Sequence, residues 1–154
     1  MENKRKEGRY ARIHKQLEEL LRLTEDPLAR MASTCAVLHH KFDYYFWTGF
    51  YLLDKGELIV GPYQGPLACI KLKKDTGVCW AGLNTGKAIV VPDVHQFPGH
   101  IACDSRSNSE IVLPLKDDEG HLIGVLDVDS SELNSFDEVD AEELEKIISL
   151  VFEK

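Results

Sequence analysis

The chain has 154 residues, 44% of them hydrophobic, enough for one domain with a substantial core and too few for two. Its 26 Asp and Glu outnumber 18 Lys and Arg, and the formal net charge of −8 repels phosphate backbones and anionic headgroups, which excludes nucleic acid and membrane surfaces as expected partners. Charge interrupts the apolar residues near Met1, and no apolar run approaches the ~20 residues of a membrane span, so a cytoplasmic protein is expected.

Tyr10, Ile13, Leu17, Leu20 and Leu21 recur at helical spacing and predict a first helix that stops near Thr24–Pro27, with residues 1–9 as a flexible lead. Asp26 before Pro27 reads as the N-cap and first position of a second helix, whose buried stripe is expected to be Leu28, Met31, Cys35 and Leu38. Cys35 is thereby assigned to the core. From Tyr44 the period shortens to two, and Asp54-Lys-Gly56 turns one strand into the next, Glu57-Leu-Ile-Val60, as a hairpin.

Two prolines and two glycines punctuate 61–67, after which Cys69–Leu72 predicts a short strand. Val78–Leu83 reads as a short helix ended at Gly86, and Ala88–Val91 as a strand stopped by Pro92. A long loop from Pro92 to about Asn108 precedes strands at Ile111–Leu115 and Leu122–Asp129; loops of such length in a compact domain are usually functional or disordered. Ser135 with Glu138 reads as a capping box for a closing helix whose apolar face is Leu144, Ile147, Ile148 and Val151. Helices at both ends with hairpin-linked strands between them predict an α+β fold, one domain over 1–154 with a mostly antiparallel central sheet.

Cys69, Cys79 and Cys103 concentrate the chemistry. In a chain expected to be cytoplasmic, clustered cysteines point to redox chemistry or metal binding rather than a disulfide scaffold. Cys103 lies in a polar loop beside His100 and Arg106, whose positive charge would raise the thiolate fraction of a thiol that ordinarily titrates near ~8.5, and it is the expected nucleophile. A sulfenic acid formed there needs a second thiol to resolve it. Cys69 and Cys79 are both candidates, and spacing does not choose between them. A zinc site built from His95, His100, Cys79 and Cys103 is the competing use of these residues; no C-x-x-C pairing anchors one, and neither metal nor cofactor is expected.

Asp127 and Asp129 share a strand face about 6.6 Å apart, in an apolar context that makes two carboxylates costly to bury unless they are paired or protonated. With Glu110 they are candidates for binding an ammonium group and for supplying an acid; a solvated sheet face is the plainer alternative. Trp47 and Tyr51 also share a face but lie about 13 Å apart along an extended strand, so one small ligand touches both only where the strand curls.

The blocks Trp47-Thr-Gly-Phe-Tyr51, Gly61-Pro-Tyr-Gln-Gly65, Cys69, Gly77-Val-Cys79, Val91-Pro-Asp-Val94, His100-Ile-Ala-Cys103, Ser107-Asn-Ser-Glu110 and Gly124-Val-Leu-Asp-Val-Asp129 together resemble the free methionine-(R)-sulfoxide reductases, a catalytic branch of the GAF domains. The resemblance implies reduction of free methionine (R)-S-oxide through a Cys103 sulfenic acid. It further implies Cys69 as the resolving thiol, with Cys79 accessory or alternative, and Trp47 as the wall against the substrate methyl group. Thioredoxin is the implied reductant. Apart from the resemblance, the sequence leaves the oligomeric state open, with the first helix as a candidate isologous contact for a homodimer. A non-catalytic GAF sensor of small molecules or redox state is the alternative; three positioned thiols favour catalysis.

Overall fold

The computed structural model describes residues 2–100 and 103–154; Ile101 and Ala102, inside the His100–Cys103 block, lie outside the described residues. The elements run α1 (Asn3–Leu21), α2 (Pro27–Lys41), β1 (Trp47–Asp54), β2 (Glu57–Gln64), β3 (Lys71–Leu72), α3 (Gly77–Thr85), β4 (Ile89–Val91), a 3₁₀ turn (Val94–Gln96), β5 (Ser109–Lys116), β6 (Leu122–Ser130) and α4 (Glu138–Ile148). The six strands form one sheet in the order β3-β2-β1-β6-β5-β4, with every neighbouring pair antiparallel. This is the α+β arrangement expected from the sequence. Among the described residues no helix is long and apolar enough to cross a membrane.

The two sheet faces carry separate cores. One face packs Phe50, Ile111, Leu113, Leu115, Leu126 and Val128 under α1, α2 and α4. The other packs Trp47, Tyr51, Val112 and Val125 under α3 and its flanking loops. Strand alternation produces both at once, since successive residues of β1, β5 and β6 point to opposite faces. Burial on both sides explains why these strands read as nearly continuous apolar runs.

Several local details differ from the sequence expectation. The first helix begins at Asn3, so most of the segment expected to be flexible is helical, and Lys6 is buried against Asp140 with Nζ 2.6 Å from Oδ2. Asp26 caps α2 as expected, accepting from the Leu28 N–H, but Leu28 itself is 60% exposed. Its place near the helix start is taken by Arg30, whose guanidinium donates to the carbonyls of Leu21, Thr24, Leu150 and Val151. The capping box of α4 is Asp137 with Asp140 rather than Ser135 with Glu138. Ser135 Oγ instead meets Ser130 Oγ at 2.6 Å, and its N–H donates to Ser109 Oγ.

Candidate functional site

On the α3 side of the sheet a cavity opens between the β1, β5 and β6 strands, the start of α3 and the loop residues Leu67, Ala68, His100, Cys103, Asp104 and Ser107. Its walls include Trp47, Tyr51, Cys79, His100, Cys103, Glu110, Asp127 and Asp129. The space open to the centre of a water molecule is about 60 Å³, several times the ~10–15 Å³ that one water needs. Seven of the eight residues singled out from the sequence line it. The eighth, Cys69, joins it through a disulfide to Cys103, with the two Cα atoms 5.5 Å apart. Cys103 is exposed and Cys69 half-buried, so the bond sits at the rim of the cavity.

The cysteine loop is held from below by the aromatic residues of β1. Tyr51 Oη donates to the Cys69 carbonyl at 3.2 Å, and Trp47 Nε1 donates to the Pro66 carbonyl at 3.0 Å. The two rings stack with centroids 5.7 Å apart, far closer than an extended strand would bring them. Gly49 between them makes this possible. The Trp47 indole lies back along the strand over Gly49, where a Cβ would come within 2.5 Å of Trp47 Cη2. Tyr63 of β2 also stacks on Trp47, with ring centroids 5.2 Å apart. The register slips between Gly49 and Tyr51, where β2 carries one extra residue beside Pro62, a position at which proline is tolerated. A glycine inside a strand marks a close approach, so Gly49 is the one local sign that a ring packs here, while nothing in the sequence singled out Tyr63 as that ring.

Three carboxylates form the floor. Asp129 pairs across β5 and β6 with Glu110, and Asp127 lies two residues along the same face, opposite Val112 and Gly49. Glu110 and Asp127 are buried at 5% exposure each, so the solvated-face alternative is wrong for them. Burial raises all three carboxyl pKa values; the charges of Asp129 and Glu110 push Asp127 further up and that of Glu110 pushes Asp129 up, while hydrogen bonding to Asp127 draws Asp129 and Glu110 partly back. Among the described residues no N–H or hydroxyl donor reaches Asp127 Oδ1. A buried acceptor without a donor is a position made for a ligand that brings one.

Cys79 stands beside this floor as a buried free thiol. Burial, followed by the charges of Asp127 and Glu110, holds its pKa well above the usual thiol value, so it is protonated near neutrality. Its Sγ and one carboxylate oxygen each of Glu110 and Asp127 lie within 4.8 Å of one another, a donor trio of metal-ligand type that faces the same space as the ligand cavity. The zinc set weighed from the sequence does not assemble. Cys103 is bonded to Cys69, and His95 Nε2 is engaged by Asn108 Oδ1 at 3.0 Å.

The positive charge expected beside Cys103 is also reduced. Arg106 is committed to Asp104, Nη2 to Oδ2 at 2.7 Å, and holds that carboxyl down to about 2, while its guanidinium lies over the Phe46 ring. His100 lines the cavity with Nε2 buried and without a hydrogen-bond partner among the described residues; burial, then the nearby His95, lowers its pKa, so it is neutral near pH 7. Asn108 fixes the end of the long loop, its side-chain amide donating to Ser131 O at 2.6 Å and its backbone N–H to Ser130 O at 2.7 Å.

A rim disulfide over a pocket floored by acids and walled by aromatic rings defines a thiol-redox site shaped for a small ligand that carries positive charge. The GAF domain profile matches residues 15–151. The chain is 48% identical to GAF domain-containing protein A of Dictyostelium discoideum, over 95% of this chain and 92% of that one. It is 39% identical to the free methionine-R-sulfoxide reductase of Escherichia coli, over 91% and 84%. The structure of free methionine-R-sulfoxide reductase from Neisseria meningitidis in complex with its substrate superposes with a TM-score of 0.87 at 44% identity, covering 92% of this chain and 85% of that one. The chain belongs to the GAF-domain family and, within it, to the free methionine-R-sulfoxide reductases.

Proposed function

We propose that the protein reduces free methionine (R)-S-oxide to methionine, as a single catalytic domain in a reducing cytoplasm, by the thiol chemistry of Cys103 and Cys69. The observation that carries this reading is the Cys69–Cys103 disulfide at the rim of a cavity whose floor is Glu110, Asp127 and Asp129.

The Cys103 thiolate attacks the sulfoxide sulfur while an acid protonates the sulfoxide oxygen. The hydroxyl then passes from the methionine sulfur to the Cys103 sulfur as the new S–S bond breaks, so methionine leaves as the thioether and Cys103 remains as a sulfenic acid. Cys69 then attacks the Cys103 sulfur, releasing water and forming the disulfide. A dithiol reductant, thioredoxin by class, returns both thiols by exchange.

The acid floor divides the work. Asp127, with its unpartnered buried oxygen, is suited to receive the substrate ammonium, and the raised pKa values leave a protonated neighbour in the cluster to act as acid. Trp47 and Tyr51 supply the apolar wall for the methylthio end. The N-cap Thr76 and the first α3 residues, Gly77 and Val78, line the cavity, and among the described residues no side chain caps this helix start, so its backbone N–H groups can meet a carboxylate. Cys79 is the accessory thiol, protonated and packed against the acids.

Purified protein assayed with dithiothreitol on the separated epimers of free methionine sulfoxide tests the reading. Turnover of the R epimer is expected, with none above background for Cys103→Ser. Cys69→Ser should release about one methionine per subunit and then lose thioredoxin-supported cycling. Activity retained within a few-fold in Cys103→Ser refutes the assignment. If Cys79→Ser and not Cys69→Ser shows the single-turnover behaviour, the roles of those two cysteines exchange.

A further inference from the structure

We propose that the segment Leu67–Lys74 is the docking surface for the dithiol protein that reduces the disulfide, an apolar lip beside the bond with a rim of lysines. The inference rests on the reductase reading in one respect, that the cycle requires the disulfide to be opened.

Isolated exposed aliphatic side chains are ordinary on protein surfaces and need no explanation. Here two of the most exposed, Leu67 at 81% and Ile70 at 66%, lie on either side of Cys69. Their backbone is fixed. Tyr51 holds the Cys69 carbonyl, Ile70 O accepts from the Val60 N–H at 2.9 Å, and the next two residues pair with β2. A rigid apolar lip loses little conformational entropy when a partner covers it.

The charge around this lip is opposite to that of the chain. Lys71, Lys73 and Lys74 are all exposed in a protein of net charge −8. Lys71 faces Glu57 at 3.6 Å, while Lys73 and Lys74 form no ion pair among the described residues. Such a rim steers an acidic partner to the one edge where a disulfide is exposed. Dockings of this kind place energy in a few central apolar contacts and leave specificity and encounter rate to the charged rim.

The exchange balances without further components. One thiolate of the partner attacks the sulfur of Cys103, the more exposed residue of the pair, and Cys69 leaves as a thiolate. The partner's second thiol then attacks its own sulfur of the mixed disulfide, and Cys103 leaves as a thiolate. Two electrons pass to this protein, and the partner ends as a disulfide.

The test is the rate at which the oxidised protein gains two thiols, measured by acid quench and thiol labelling, with reduced thioredoxin or with dithiothreitol as the reductant. Ile70→Asp and the double variant Lys73→Glu, Lys74→Glu should each slow reduction by thioredoxin roughly five- to tenfold and leave reduction by dithiothreitol unchanged. The lysine variant should also flatten the salt dependence of the thioredoxin rate. Leu67 is left in place because it lines the cavity. Thioredoxin rates unchanged in both variants overturn the proposal, as does a parallel fall in the dithiothreitol rates. No methionine sulfoxide is present in this measurement, so a protein inactive on the sulfoxide overturns the functional reading separately.

Discussion

Gly49 decides the geometry of the aromatic wall. Trp47 and Tyr51 lie four residues apart on one strand, and their rings meet only because the residue between them has no side chain. A Cβ at Gly49 would collide with Tyr63 Cβ and come within 2.5 Å of the Trp47 ring, a conflict with a neighbouring strand on one side and a buried indole on the other. Gly49→Ala is therefore expected to cost roughly 1–3 kcal/mol in stability, the range for overpacking a closed site. Because the displaced indole also anchors Pro66 beside the cysteine loop, KM for the sulfoxide should rise more than kcat falls. Urea unfolding and steady-state kinetics on the one variant check both statements. A variant as stable and as active as the parent would mean that the wall is adjustable and that the stack does not position the loop.

At the scale of elements, α1 is clamped to α4 by a buried polar knot. Asp140 is fully buried and accepts from Tyr10 Oη at 2.6 Å, Tyr44 Oη at 2.7 Å and Lys6 Nζ at 2.6 Å, while its Oδ2 also receives the Asp137 N–H of the capping box. Breaking a buried pair from one side leaves the other charge without compensation, at about 3–5 kcal/mol. Asp140→Ala should lower stability by that amount, and Lys6→Met by less because the two tyrosines still satisfy Asp140. Equal losses in denaturant unfolding would show that the lysine alone carries the clamp. This knot was poorly legible in the sequence. Local spacing favoured Ser135 and Glu138 as the capping pair, and nothing within that window shows that Asp140 is needed 134 residues away by Lys6. Leu28 misled for a related reason: helical period gives the apolar stripe, but the side chain that enters the gap at the start of α2 is Arg30, drawn in by carbonyls at the C-terminal end of the chain. The strand pattern, by contrast, placed Asp127 with Asp129 and Trp47 with Tyr51 correctly, because alternation is a local property; that the two pairs share one sheet face follows only from the β1–β6 register.

For the molecule as a whole, the acid floor sets stability against function. Three carboxyl groups in one buried cluster have pKa values raised above their unfolded values, so folding takes up protons wherever the unfolded chain would be ionised. The stability they allow is full below the ordinary carboxyl range near ~4 and is lost as pH rises through the raised folded values. His39 and His100 act in the opposite sense, being lowered chiefly by burial: their contribution is present above the ordinary value of 6.5 and lost as pH falls through their folded values. Comparing a variant with its parent at each pH cancels the histidines. Asp127→Asn removes one member of the cluster, together with the oxygen that has no donor, so the substrate-free protein should become more stable by roughly 1–3 kcal/mol at pH 8. The gain should shrink toward pH 5 as the parent's acids take up protons. The same change deletes the charge that would hold the substrate ammonium, and kcat/KM for free methionine sulfoxide should fall at least tenfold, since a charge-assisted hydrogen bond in a closed site is lost. Thermal unfolding of both proteins from pH 5 to 8, with and without the sulfoxide, measures both sides: ligand should raise the melting temperature of the parent and leave that of Asp127→Asn nearly unmoved. An Asp127→Asn variant less stable than the parent at every pH would mean that these acids are compensated in the empty site, and the unpartnered oxygen would no longer argue for a cationic ligand.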